Sequence, residues 1–207
     1  IREVEPKNAV NIVEAVQDLG LWSKGSGADN IRNVTGTPTA GVDPQELIDT
    51  RAYARAMHHH ILNDRSLYGL PRKFNIAFDG AGMIGALEDT NDIGFQAVVV
   101  KEGRGVAPGV YFRLALGGIT GHRDFARDTG GIVPPDEAVE VADKILRVFI
   151  EHGDRTNRAR ARLKYVLDAF GFDKFLAAVE EKLGRKLLRV DADAIEARPR
   201  QDRAAHI

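Results

Sequence analysis

The chain has 207 residues, 43% of them apolar and 29% charged, with 29 basic against 30 acidic side chains for a net charge of −1. That is enough for a substantial core, as one large domain or one domain plus pieces of another, and it excludes a disordered or fibrous chain. The balanced charge argues against wholesale nucleic-acid binding, and no apolar run is long enough to span a membrane. The absence of cysteine excludes disulfides, zinc–thiolate sites and iron–sulfur ligation by this chain, though not a cluster held by another domain. The first residue is Ile1, not Met, and no secretory apolar segment follows it. The expectation is a piece of a longer or processed polypeptide in a cytoplasmic setting.

Pro6 suits a first helical turn. From Asn8 to Leu19, Val10, Val13, Ala15, Val16 and Leu19 form an amphipathic stripe that Gly20 stops, and Ser23 to Gly27 reads as a hinge. From Asp29 to Asp43 the chain is rich in Gly, Pro, Thr and Asn, with no helical or strand period, which predicts an ordered binding loop. Asp43 as N-cap, Pro44 at the first position and Glu46 at the capping-box spacing predict a helix running to about Asn63. Lys73 to Phe78 alternates, with Phe74, Ile76 and Phe78 on one face and Lys73 and Asn75 on the other. Ile93–Val100 and Val110–Leu116 are the next strands, and Gly117-Gly118 allows a bend or a close backbone approach. Three helices follow: one from Pro134-Pro135 with Ala138, Ala142, Ile145 and Phe149 inward, one from Arg155 to Phe170, and one from Phe172 to Leu183 closed by Gly184. Residues 186–207 read as a charged linker or tail. The order predicts an α+β domain, helices covering an antiparallel or mixed sheet.

His58-His59-His60 does not make a metal site, because successive helical residues point about 100° apart and no second His or carboxylate cluster is spaced to complete one, so no metal ligands are assigned. Gly80-Ala81-Gly82 and Gly103-Arg104-Gly105 lack the strand-to-helix context of a phosphate loop and read as turns. The Arg155–Lys164 run reads as a solvated helix face, a nucleic-acid contact or a holder of cofactor carboxylates, and the spacing leaves these open. No Ser-His-Asp arrangement stands out. The set that differs in kind is Arg32, Arg72, Lys73 and Asn75. Guanidinium and ammonium groups beside an amide suit a carboxylate or small oxyanion, with scattered surface charge as the plain alternative.

At these residues the chain resembles the siroheme-dependent nitrite and sulfite reductases. The likeness runs through Asp29-Asn30-Ile31-Arg32-Asn33-Val34-Thr35-Gly36-Thr37-Pro38-Thr39-Ala40-Gly41-Val42-Asp43-Pro44, then Leu70-Pro71-Arg72-Lys73-Phe74-Asn75, Asn91-Asp92-Ile93-Gly94-Phe95, Leu116-Gly117-Gly118, and Asp154-Arg155-Thr156-Asn157-Arg158 with Ala161-Arg162-Leu163-Lys164. It covers residues 8 to about 185. The resemblance implies an α+β siroheme-domain fold. Residues 1–28 would end a ferredoxin-like lobe, 29–185 would be the first-half siroheme-binding lobe, and 186–207 would lead to a missing second half of the same polypeptide. It also implies siroheme and a 4Fe-4S cluster in the full-length enzyme, with the cluster ligands outside this chain. The partners would be nitrite or sulfite and an electron donor such as ferredoxin, and the reaction a six-electron reduction to ammonia or sulfide. By the same resemblance Arg32, Lys73 and Asn75 hold the substrate anion, while Arg32, Asn33, Arg72, Lys73, Gly117 and Gly118 lie at the cofactor. Asn75 leans toward nitrite, since sulfite-reducing members usually carry Lys there. The competing readings are a non-catalytic anion-binding module and a relative in corrin biosynthesis.

Overall fold

Strand alternation sets the centre of the molecule. In the computed structural model, which describes residues 3–20, 25–102 and 105–196, the chain forms one six-stranded sheet. Its strands are β1 (Ile31–Gly36), β2 (Phe74–Asp79), β3 (Ile93–Val100), β4 (Gly109–Leu116), β5 (Arg127–Val133) and β6 (Leu188–Arg189), and their spatial order is their order in the chain. β1, β2 and β3 run parallel, and the pairs from β3 to β6 are antiparallel, so the sheet is mixed. Phe74, Ile76 and Phe78 lie buried on one face with Ile93, Phe95, Phe112, Leu114 and Leu116. The rings of Phe78 and Phe95 stack with centroids 5.0 Å apart, and Phe112 stands edge-on to both at 5.8 Å. Burying each such side chain contributes about 1.5–3 kcal/mol.

The helices are α1 (Ala9–Asp18), α2 (Arg51–Asn63), α3 (Ala138–His152), α4 (Leu163–Phe170) and α5 (Phe172–Leu183). Met57 and Ile61 of α2, Ala138, Ala142, Ile145 and Phe149 of α3, Leu163 and Leu167 of α4, and Phe175 and Val179 of α5 enter the same core. The expected α+β class, the inward face of α3 and the bounds of α5 are all as the sequence pattern implied. α1 buries none of its residues and leaves Val10, Val13 and the following Leu19 exposed.

Five segments depart from expectation. The sequence pattern offers no strand at Arg127–Val133, where β5 lies, because Gly130, Gly131 and the charged Arg127-Asp128 break the apolar alternation. The Asp29–Asp43 stretch holds β1, which the pattern hides because a bulge between Ile31 and Asn33 shifts the register. The core-facing residues are then Ile31 and Val34, three apart, and the period-2 signal is lost. Asp43 caps no helix. Its carboxylate is buried and accepts the backbone N–H of Met83 at 2.5 Å and of Gln45 at 2.9 Å, and α2 begins only at Arg51. A tertiary partner forty residues away has taken the capping group. The Arg155–Phe170 helix starts only at Leu163, since Asp154 accepts from Thr156 and Asn157 from Ala159, local bonds that compete with helix. Finally, the expected tail is partly structured. Buried Glu180 accepts from the Leu187 backbone and pairs with Lys186 and Arg189, which lays β6 against β5. Residues 21–24, which include Ser23 and Lys24 of the expected hinge, Gly103-Arg104 and residues 197–207 lie outside the described residues.

Candidate functional site

The second face of the sheet is polar where the first is aromatic. Across it, Thr35, Ala77, Gly94 and Ala115 lie in register, a row of small side chains. Asn33 and Asn75 flank the row on one side, with the Asn33 amide donating to the Asn75 side-chain oxygen at 3.4 Å. Asp79, Gln96 and Arg113 flank it on the other. The segment after β2 packs against this face: a side chain at Gly94 would meet the Glu88 carbonyl at 2.7 Å. Burial and the neighbouring Asp79 carboxylate push the Glu88 carboxyl up to about 7.

The Asn75 end of the row opens into a cleft of about 370 Å³ lined by Arg72, Lys73, Asn75, Thr90, His122, Arg158 and Arg162 among others. Two backbone clips build it. Leu70 N–H donates to the Asp29 carbonyl at 2.7 Å and Phe74 N–H to the Asn30 carbonyl at 3.0 Å, so the two motifs forty residues apart in sequence lie side by side. The Asp29 carboxylate receives both Arg72, at 3.2 Å, and Arg158, at 2.7 Å. Those bonds, that from Arg158 foremost, hold its carboxyl below the ordinary value. Asp92, only 1% exposed, receives Arg162 through two bonds of 3.1 and 2.7 Å and the Asn75 backbone N–H at 2.9 Å. Lys73 makes no ion pair among the described residues. Burial, then the guanidiniums of Arg162, Arg32 and Arg72, holds its ammonium below the ordinary lysine value. Four cations thus face two carboxylates in the cleft, which leaves an excess of positive charge suited to an anion. At the rim, His122 Nδ1 lies 2.5 Å from the Tyr165 hydroxyl.

The structure brings Arg72, Lys73 and Asn75 to one wall. Arg32 and Asn33 line a neighbouring groove between β1 and α2, and Arg32 Nε donates to the Ala28 carbonyl at 2.7 Å. Gly117 and Gly118 end β4 beside the cleft, where chain packing already demands glycine. Gly117 has φ +92°, and a side chain on it would meet Leu167 at 2.8 Å, while one on Gly118 would strike the Asp89 and Asn91 carbonyls. Sequence reasoning did not single out Asp92 or His122 as site residues, and met Arg162 only as one member of the Arg155–Lys164 run. The available signal was an aspartate immediately before an apolar strand and an arginine set between Ala161 and Leu163, both odd places for a charge. Arg155 does not line the cleft; its guanidinium donates to the Gly69 carbonyl at 2.8 Å. The histidine triplet also gains context, because the fold brings His60, Asp64 and Asp143 within 4.8 Å of one another. Arg147 occupies those carboxylates at 2.7 and 2.8 Å, with Lys144 at 3.1 Å, so the cluster is an ion-pair node between α2 and α3.

Comparison with known proteins agrees with this fold. The sequence profile of the nitrite and sulphite reductase 4Fe-4S domain matches residues 27–187. The chain belongs to the nitrite and sulphite reductase family. It is 35% identical over 193 residues to a ferredoxin–nitrite reductase of Leptolyngbya laminosa, covering 90% of this chain and 37% of that protein. To the chloroplastic ferredoxin–nitrite reductase of Zea mays it is 30% identical over 194 residues, covering 91% and 33%. The NirA protein of Mycobacterium tuberculosis superposes with a TM-score of 0.77 at 28% identity, over 90% of this chain and 33% of that one. A dissimilatory sulfite reductase I shares the fold, with a TM-score of 0.62 at 14% identity. The chain therefore spans about a third of the length of the nitrite reductases it matches. Among the described residues no helix is long and apolar enough to cross a membrane.

Proposed function

We propose that this chain is the first-half siroheme-binding lobe of a ferredoxin-dependent reductase that converts nitrite to ammonia with six electrons in the cytoplasm. The observation that carries the reading is the convergence of Arg72, Lys73, Asn75, Arg158 and Arg162 on one cleft with more positive than negative charge. The donor set fits siroheme, a tetrapyrrole with many carboxylates: Arg72 and Arg158, which share the Asp29 carboxylate on one rim, would hold its carboxylates as guanidiniums do. When bound, siroheme supplies the iron on which a small oxyanion is reduced. This chain's own residues supply the surroundings. Lys73 gives a proton and a fixed positive charge where oxygen leaves as water, and its depressed basicity makes that proton easier to release. The Asn75 amide offers hydrogen bonds without a second full charge, which suits monoanionic nitrite better than dianionic sulfite. Arg32 and Asn33 line the groove next to the cleft, and Gly117 and Gly118 let the chain turn tightly beside it, the space a side chain would need being filled by Leu167 and the Asp89 and Asn91 carbonyls.

In this reading residues 1–28 end a preceding ferredoxin-like lobe, which agrees with the uncovered apolar face of α1. Residues 29–185 form the lobe itself, and the remainder leads to a second half that carries the cluster cysteines, this chain having none. The chain alone is then inactive. The test is Lys73→Met in the full-length enzyme that contains this lobe. Turnover of nitrite should fall by at least about 100-fold, the scale of a lost positioned proton donor, while the siroheme absorbance is retained. Full turnover in that variant would remove Lys73 from the chemistry.

A further inference from the structure

The cleft contains a buried ion pair to which no role has been given. Asp92 and Arg162 are only 1% and 8% exposed. Asp92 precedes β3 and Arg162 caps the start of α4, so the pair joins two elements seventy residues apart. Burying two charges is costly, and a buried pair is weak as a source of stability alone. This one uses its bonds selectively. Arg162 commits Nε and Nη2 to Asp92, and among the described residues its Nη1 makes no hydrogen bond, while the side chain itself lines the cleft. Asp92 uses the oxygen that binds Arg162 Nη2 to receive the Asn75 backbone as well.

We propose that the Asp92–Arg162 pair is the positioning device of the cleft: Asp92 fixes the Asn75 backbone, and Arg162 sets an immovable cation beside the Lys73 amine, leaving one guanidinium edge for the anion. This deepens the nitrite reading and rests on it for the identity of the anion. The groups acting on Lys73 are Arg162, Arg32, Arg72 and Asp92, and Arg158 and His122 share the cleft wall. Of these, Arg162 is the cation most deeply held, so it adds to the effect of burial the steadiest like charge beside the amine. Asp92 and Arg162 act through Asn75 and Lys73 and are positioning residues for the reaction.

The test is a pH titration of the Lys73 amine by NMR, on the 207-residue chain labelled with ¹³Cε-lysine and assigned through Lys73→Arg. Arg162→Met should raise the Lys73 titration by about one unit, as loss of a close like charge does. Arg162→Lys keeps the charge but loses the two-pronged clamp, and should return the titration most of the way to wild type. General loosening would persist in the lysine variant, so this rescue separates charge placement from structure. Should Arg162→Met fail to fold, Arg162→Gln, which keeps hydrogen-bonding groups for Asp92, takes its place with the same expected rise. A titration that stays at the wild-type value, or that rises equally in Arg162→Met and Arg162→Lys, overturns the proposal. The readout needs neither siroheme nor turnover. A moved titration in a lobe whose full-length enzyme does not reduce nitrite overturns the proposed function alone, and an unmoved one in an enzyme that does overturns the positioning role alone.

Discussion

On the helix-covered face of the sheet, Phe78, Phe95 and Phe112 meet ring to ring, and Tyr53 of α2 packs on Phe78 and Phe112. On the other face, the small row Thr35, Ala77, Gly94, Ala115 runs between asparagines at one end and Asp79, Gln96 and Arg113 at the other. The first face is self-sufficient: each group there finds its partner within the chain. The second carries an excess of cations at one end, and its charges make sense with an anion beside them. Stability is concentrated on one side of the sheet and recognition on the other.

The comparison breaks most easily at its aromatic centre. Phe95→Ala should cost about 3–5 kcal/mol in urea unfolding, the usual cost of emptying a core ring site. Its neighbour in the strand, Gln96→Ala on the polar face, should change stability by no more than about 0.5 kcal/mol. Comparable losses from both would mean that the two faces are not built differently. A smaller effect sharpens the polar side. The Glu88 carboxyl holds its proton to about 7 in the folded chain, against 4.5 for an ordinary glutamate. The native state then binds more protons over that interval, so stability falls as pH rises from about 4.5 to about 7. With partial exposure discounted, the fall is about 2 kcal/mol. Glu88→Gln should flatten it, as read from unfolding midpoints at pH 5 and pH 8. Smallest of all, Lys182→Ala removes the exposed pair with Glu151 and should cost about 0.5 kcal/mol or less.

How much of this was legible in the sequence follows the same division. Phe74, Ile76 and Phe78 announced β2, and Ala138, Ala142, Ile145 and Phe149 announced α3, because burial against one face repeats with the period of the element. β1 was hidden by its bulge, and β5, Arg127 to Val133, by two glycines and the charges of an otherwise apolar strand. The start of α2 was misread because Asp43 serves Met83 across the molecule, a long-range bond that no local rule contains. At the site, residue types pointed to Lys73 and Asn75, and their strand spacing placed them together. Asp92 and Arg162 were not picked out, because a buried ion pair is defined by two distant positions, and neither alone shows what it will meet.

The strand order of the sheet carries a consequence for how the chain is made. Since β1 through β6 lie in space as they lie in sequence, each strand pairs with the one synthesised just before it. No strand has to be inserted between two that are already joined. The sheet can therefore grow outward from β1 by edge addition as the polypeptide leaves the ribosome. β6 comes last in the chain, and the Leu187 backbone beside it donates to Glu180 of α5.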